Sequence, residues 1–478
     1  MKLSDIVKGV EILESNVDLN LEINKICYDS RKVEIGDMFV CIKGYQTDGH
    51  KYALSAKEKG ASVIVAVDAL DFEENIIYVK DSRLALALMS KNFYENPLLG
   101  KSLVGVTGTN GKTTVTYLTK TILEQCGKTY GLIGTNQNVI KDEILPAERT
   151  TPESNELYTL FDYMVKKGAD GVVMEVCSHA LELSRVGGCE FETAVFTNLT
   201  QDHLDFHITM ENYFKAKEKL FSLCKNAVIN IDDPYGRRIK TDCNVLSYGI
   251  ENESATLNAK NVKMSPSGVE FMLSYEGKEY EAKLSIPGKF SVYNALAALG
   301  AAISLGVSPK EAVEALSLAK GVKGRAEVTF ANDDFTVIID YAHTPDGLIN
   351  IIKTVSEFKK GRVVTLFGCG GDRDKTKRPK MGKCAGELSD FLVVTSDNPR
   401  TEDPTAIIDD IMPGVLETNC PYIRIENRAE AIKWAIENAE KNDIIVLAGK
   451  GHETYQILKD GTIHFDEREV VREAVNNK

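Results

Sequence analysis

Residues Ser102–Gly127 read SLVGVTGTNGKTTVTYLTKTILEQCG. A short apolar run, Ser102–Thr107, passes into a glycine-rich turn, and Lys112-Thr113 then opens an amphipathic stretch. The order predicts strand, tight loop and helix, the unit from which α/β sheets are built. Backbone N–H groups of such a loop, with the helix N-terminus behind them, hold phosphate oxygens. Gly108, Thr109, Asn110, Gly111, Lys112, Thr113 and Thr114 are therefore candidate nucleotide ligands. Lys112 would reach the outer phosphates and Thr113 would offer its hydroxyl to magnesium. The GxxxxGK[ST] pattern is missed by one position, because Val106 stands where its first glycine belongs.

The same alternation of apolar strand, turn and helix extends in both directions. Upstream, strands are expected at Met38–Ile42, Ala61–Val67 and Asn75–Val79, with helices near Tyr52–Lys59 and Leu84–Tyr94. Pro97 and Gly100 then mark a break. Downstream, strands are expected at Thr129–Ile133, Gly171–Val176, Thr193–Thr197 and Ala227–Ile231, followed by a hairpin between Asn261 and Leu284 that turns at Ser265–Gly268. A helix over Val292–Leu305 leads to a second hinge, GVKGRAE. The last block alternates strands (Phe335–Tyr341, Arg362–Phe367, Phe391–Thr395, Ile444–Ala448) with four helices. The expected fold class is α/β in three domains, residues 1–98, 99–324 and 325–478. The first is small, the second a mostly parallel P-loop-type sheet, the third Rossmann-like.

Composition sets limits. A length of 478 residues suits about three domains. With 57 basic and 70 acidic side chains the net charge is −13, which argues against a protein that coats nucleic acid or anionic lipid. Ten cysteines contain no CxxC pair, so neither a disulfide framework nor a zinc site is expected, only reduced, mostly buried thiols. The first residues, MKLSDIVKGVEILESN, lack an apolar h-region, and the longest apolar stretch, Ala295–Val307, is too short to span a bilayer. A cytoplasmic protein without membrane insertion is the expectation.

Chemistry concentrates at strand ends. In open α/β sheets ligands bind beyond the carboxyl ends of the strands, and in the last block those ends read DYAHTPD, GCGGDRD, SDNPRTEDP and GKGHE. Arg400, in a turn stiffened by Pro399, suits bidentate capture of a carboxylate. Arg373 and Glu453 add a donor and an acceptor for a substrate carrying both carboxylate and ammonium. Near the loop, Glu175 ends an apolar strand and is the candidate metal-holding acid. His203 is either a further metal ligand or part of a hydrogen-bonded turn with Asp202 and Asp205. The run Lys215, Lys217, Lys219 reads, by composition, as a solvated helix face.

Together GTNGKTT, TTPES (Thr150–Ser154), EVCSHAL (Glu175–Leu181), TNLTQDHLDFH, YFKAKEKLF, GRAE (Gly324–Glu327), DYAHTPD and DNPR resemble the Mur ligase family over nearly the whole chain. The resemblance implies a three-domain, monomeric ATP-dependent ligase without nucleic-acid partners. Its first domain would hold a uridine nucleotide, with Ser30 in contact, its second ATP and its third an amino acid. Thr150, Thr151, Ser178 and Arg185 would contact a UDP-muramoyl dipeptide. Asn294, Arg325, Asp340 and His343 would line the ATP site. The resemblance makes Lys112, Lys217, His203 and Glu175 catalytic, with Thr113, Glu175, His203 and a carbamate on Lys217 as magnesium ligands. The DNPR stretch matches the family's signature for meso-diaminopimelate, giving Arg373, Asp397, Asn398, Pro399, Arg400, Gly449 and Glu453 as its contacts. Lysine addition within the family, and a slowly hydrolysing P-loop regulatory module, are the alternatives. Cys177 and Ile208 depart from the family pattern, where Ser and Gly are common.

Overall fold

The computed structural model describes residues 1–44, 47–265 and 267–477. Two compact units emerge, Met1–Tyr248 with Gly300–Val307, and Gly249–Leu299 with Ser308–Lys478.

The first unit carries two sheets. Strands β1 (Ile12–Ser15), β2 (Ile26–Cys27), β3 (Met38–Val40), β4 (Val63–Ala66) and β5 (Ile76–Val79) pair in the order β1-β5-β4-β3-β2. All pairs are parallel except β1 with β5. Met38, Val40, Val63 and Val65 face Leu86 and Met89 of the helix Ser82–Phe93 in one apolar cluster. The carboxylate of Asp81 caps that helix by accepting from Arg83 N and Leu84 N.

The second sheet is built from β6 (Ser102–Thr107), β7 (Tyr130–Ile133), β8 (Asn138–Ile140), β9 (Glu143–Leu145), β10 (Gly171–Glu175), β11 (Phe191–Phe196), β12 (Cys224–Asn230) and β13 (Asn244–Gly249). The order is β13-β12-β11-β6-β10-β7-β8-β9, parallel from β13 to β7 and antiparallel at the β8 and β9 edge. Its central strands are near-continuous apolar runs, as a sheet covered on both faces requires. Val104, Val106, Val172, Val173, Ala194 and Val195 are fully buried. The carboxyl ends of β11, β6, β10 and β7 therefore lie side by side.

In the second unit β14 (Leu257–Ser265), β15 (Gly268–Tyr275) and β16 (Lys278–Leu284) form an antiparallel meander, one strand more than the expected hairpin. Pro266, in the expected turn, is outside the described residues. The third sheet contains β17 (Glu327–Ala331), β18 (Phe335–Asp340), β19 (Val363–Phe367), β20 (Phe391–Val394), β21 (Tyr422–Arg424) and β22 (Asp443–Ala448), ordered β17-β18-β22-β19-β20-β21. Only β17 runs antiparallel. A small ribbon, β23 (Tyr455–Leu458) and β24 (Gly461–His464), follows.

All ten cysteines are free thiols, as expected, but only Cys27, Cys41, Cys189 and Cys369 are buried. No helix among the described residues is long and apolar enough to cross a membrane.

Beneath the third sheet's strand tips lies an ion pair between Arg428 and Glu467, both side chains 0% exposed. Arg428 Nε donates to Glu467 Oε1 at 2.8 Å, NH1 to Ser396 O at 3.3 Å and NH2 to Ala448 O at 2.8 Å. One guanidinium thus ties the exits of β20 and β22. Arg428→Met would leave Glu467 buried without its cation, so urea unfolding should show a loss of about 3–5 kcal/mol. A loss below about 1 kcal/mol, the scale of an ordinary substitution, would show that the pair does not carry that load.

Candidate functional site

The loop after β6 takes the conformation its glycines permit. Gly108 has φ +145° and Gly111 φ +86°, and a Cβ on Gly108 would stand 1.9 Å from Thr197 Oγ1. Only glycine fits there. The neighbouring β11 exit holds the loop. Asn198 O accepts from Thr109 N, Asn198 Oδ1 from Asn110 N (both 2.9 Å), and Thr197 Oγ1 donates to Asn110 O at 2.6 Å. Thr113 and Thr114 begin the helix Lys112–Gln125 and are buried.

Two ammonium groups converge on one acceptor. Lys112 Nζ and Lys217 Nζ each donate to Gly108 O at 2.9 Å. Lys217 is 1% exposed, which corrects the compositional reading of its helix. In Met210–Glu218 the residues Tyr213, Phe214, Ala216 and Lys217 turn inward, while Lys215 remains exposed. Burial first, and Lys112 second, hold the Lys217 amine well below the usual lysine range. Its Nζ also sits 4.6 Å over the Tyr213 ring.

Glu175 ends β10 and is 1% exposed. Its Oε1 accepts from Thr135 N at 2.8 Å and its Oε2 from Thr135 Oγ1 at 3.0 Å. Among the described residues no cation forms an ion pair with it; both side-chain oxygens accept from Thr135, and a carboxyl so placed fits a hard divalent cation. Thr150 Oγ1 lies 3.1 Å from Thr135 Oγ1. Thr151 Oγ1 donates to Glu175 O at 2.8 Å, and Arg185 NH1 donates to Thr151 O at 3.1 Å. Ser178 Oγ meets His207 Nε2 at 2.9 Å. His203 stands at φ +51° against His179, ring centroids 4.8 Å apart. Asp202 Oδ1 accepts from His203 N at 2.8 Å. Burial, then the neighbouring His203 and His207, push His179 down to about 4. Glu175, Thr150, Thr151, Ser178 and Arg185 are thus gathered together. Ser30 shares no hydrogen bond with them among the described residues; it opens a short 3-10 helix on the first sheet, where its carbonyl accepts from Lys59.

The second unit has its own polar edge. Asp397, Asn398, Pro399 and Arg400 follow β20. Arg400 is held at φ +54°, a region an L-residue occupies only when its surroundings impose it. Its N–H donates to Ile457 O at 3.1 Å and NH1 to Gly371 O at 2.8 Å. Asn398 Nδ2 donates to Glu453 Oε2 at 2.9 Å. Gly449, φ +119°, leaves room that a Cβ would take from Asp397 Oδ2, 2.7 Å away. Arg373 is exposed beside this group. Arg325 lies 5.1 Å over the Tyr341 ring. Asp340 Oδ2 accepts from Ala326 N at 2.7 Å, and burial raises its carboxyl against the pull of Arg325. His343 Nδ1 meets Tyr341 O at 2.8 Å, and Asn294 is buried in the helix Lys289–Ser304.

Three family models match in sequence order. They are described as Mur ligase family, catalytic domain (residues 22–94), Mur ligase middle domain (106–302) and Mur ligase, glutamate ligase domain (324–451). A UDP-N-acetylmuramoyl-L-alanyl-D-glutamate--2,6-diaminopimelate ligase of Clostridium botulinum is 51% identical over 99% of this chain and 99% of its own. The chain belongs to the Mur ligase family. A relative of the same name from Listeria monocytogenes is 43% identical over 100% of this chain and 99% of its own. A solved structure of a ligase of that name matches with TM-score 0.75 at 32% identity, covering 100% of this chain and 99% of the other. The three sheets are the three-domain architecture of the Mur ligases.

Several residues that build this Mur ligase site were not singled out from sequence. Thr135 anchors Glu175, Asn198 holds the loop and His207 holds Ser178, each through a contact between segments far apart in the chain. Their only sequence signal was membership in stretches such as TNLTQDHLDFH.

Ile208, the departure after His207, also has a structural consequence. It takes φ +69°, ψ −47°, and Thr209 N donates to His207 O at 2.7 Å, a γ-turn with a β-branched residue at its centre. The side chain is 76% exposed and packs little to offset this. Ile208→Gly should raise stability by about 1 kcal/mol after glycine's own entropy cost. A lower Tm for the variant would show that no strain resides there.

Proposed function

We propose that this Mur ligase couples ATP hydrolysis to the addition of meso-diaminopimelate to UDP-N-acetylmuramoyl-L-alanyl-D-glutamate, a cytoplasmic step of peptidoglycan precursor synthesis. The observation that carries the reading is the full-length identity to relatives named for that reaction, supported by Arg400 at a strand tip with a guanidinium suited to a second carboxylate. The three domains are taken as residues 1–98 for the uridine nucleotide, 99–324 for ATP and 325–478 for the amino acid.

A carboxylate is a poor acyl donor, so an oxygen of the D-glutamate γ-carboxylate first attacks the γ-phosphorus of ATP, giving an acyl phosphate and ADP. The unprotonated substrate amine then attacks the acyl carbon, and the tetrahedral intermediate expels inorganic phosphate to leave the amide. Positioning and charge neutralisation account for most of what the protein contributes. The loop amides of Gly108–Thr114 with Lys112 hold the phosphates. Thr150, Thr151, Ser178 and Arg185 hold the muramoyl dipeptide, and Ser30 its nucleotide. Asn294, Arg325, Asp340 and His343 are assigned to ATP by their motif match.

Thr113, Glu175, His203 and a carbamate on Lys217 would hold magnesium, which when bound offsets phosphate charge. The chemistry of Lys217 suits the carbamate. An unprotonated amine attacks carbon dioxide, forming an N–C bond and releasing one proton, and burial shifts this amine toward its unprotonated form. The product places an anion opposite Lys112, and the two attract. Lys217→Ala should therefore lose activity and regain part of it with a short carboxylic acid. No loss, or no rescue, would remove the carbamate from the reaction.

Phosphate release should require ATP, the UDP-muramoyl dipeptide and diaminopimelate together, and release with ATP alone would instead favour a regulatory ATPase. Diaminopimelate carries a carboxylate that lysine lacks, and a site built for it leaves Arg400 unmatched with lysine. Arg400→Ala should raise the KM for diaminopimelate at least about tenfold while the KM for ATP holds. Equal rates for wild type with lysine and diaminopimelate would overturn the role of Arg400.

A further inference from the structure

Lys450 follows Gly449 at the carboxyl end of β22, and none of the roles above uses it. Its side chain is 0% exposed. A buried ammonium requires partners on every side, and those of Lys450 are specific. Nζ donates to Asn398 Oδ1 at 3.1 Å and to Glu453 Oε2 at 3.0 Å. The rings of Tyr455 and Phe465 stand near it, their centroids 5.7 and 5.9 Å away, and the buried Glu467 carboxyl feels its charge. Asn398 is tied down in turn, its Oδ1 accepting from Ile457 N at 2.9 Å as well.

The consequence falls on Glu453. Its Oε2 receives two donors, Lys450 Nζ and Asn398 Nδ2. Its Oε1 accepts none among the described residues, and the side chain is 13% exposed. One oxygen is clamped from below and the other is left for something else that donates. The clamp joins the exits of β20 and β22, so Lys450 sets Glu453 relative to the Asn398-Pro399-Arg400 turn.

We infer that Lys450 is a positioning residue for the amino-acid substrate: it fixes Glu453 in one orientation, so that Oε1 meets the substrate's ammonium while Arg400 meets its carboxylate. The inference rests on the reading of this edge as the diaminopimelate site. Lysine suits the position because its ammonium donates to both partners at once.

Initial rates of purified Lys450→Met test it, with each substrate varied in turn. The KM for diaminopimelate should rise about tenfold or more, while the KM values for ATP and the UDP-muramoyl dipeptide stay within about twofold. In a Glu453→Gln background, Lys450→Met should add little further, because its effect runs through Glu453. A merely structural lysine would lower Tm and kcat and leave the diaminopimelate KM in place; that result, or full additivity with Glu453→Gln, overturns the inference. Lys450→Gln, which keeps an N–H donor without the charge, serves if Lys450→Met does not fold. Failure of both to fold would make Lys450 a structural residue and equally overturn it. Wild-type enzyme that makes no product from diaminopimelate would instead remove the functional reading on which the inference stands.

Discussion

Two lysines sharing one carbonyl is an arrangement that repels itself. Inside a protein, where the effective dielectric is low, a pair of ammonium groups on the Gly108 oxygen stays only if one loses its proton or an anion joins them. Burial and Lys112 both push the Lys217 amine down. Everything around the loop preserves this convergence. Parallel pairing of β6 with β11 sets Thr107 beside Phe196, and the next residues, Thr197 and Asn198, grip the loop from the side. The glycine at 108 exists because Thr197 comes so close.

The sheet order extends that logic to Glu175. Because β10 pairs with β6 on its other flank, with Glu175 beside Val106, a buried carboxyl group arrives at the neighbouring strand exit without a long loop to carry it. Positive charge collects at one strand exit and negative charge at the next. A divalent cation and a polyphosphate are the complementary guests for such a pattern.

Periodicity and turn residues made the architecture readable from sequence. β6 was placed to the residue at Ser102–Thr107, and the strands of the last block within one or two, because parallel central strands are unbroken apolar runs that end in glycine or acid. The edges were missed. β17, β21 and the β23–β24 ribbon are short and only partly buried, so no apolar run announces them. Within the site, residues proposed to act directly on a ligand stand out through motif position, as Lys112 and Arg400 do. Residues that act on other residues did not. Lys217 sits in a run of three lysines at every second position, and only the way its helix packs separates it from Lys215. Lys450 was passed over for the same reason, since nothing local distinguishes a clamped ammonium from a free one.

Asn398 touches Glu453 through its side chain and stands two residues before Arg400 in the chain. Arg400 is itself locked by its left-handed backbone and its bond to Gly371. The proposed carboxylate seat, Arg400, and the proposed ammonium seat, Glu453, are therefore tied to the same short turn, one by its backbone and the other by a hydrogen bond from Asn398. Such an edge acts as a fixed gauge. On the proposed reading it would grade candidate amino acids by the separation of their charged ends as well as by which charges they carry, and lengthening the accepted substrate would mean rebuilding the turn rather than exchanging a side chain.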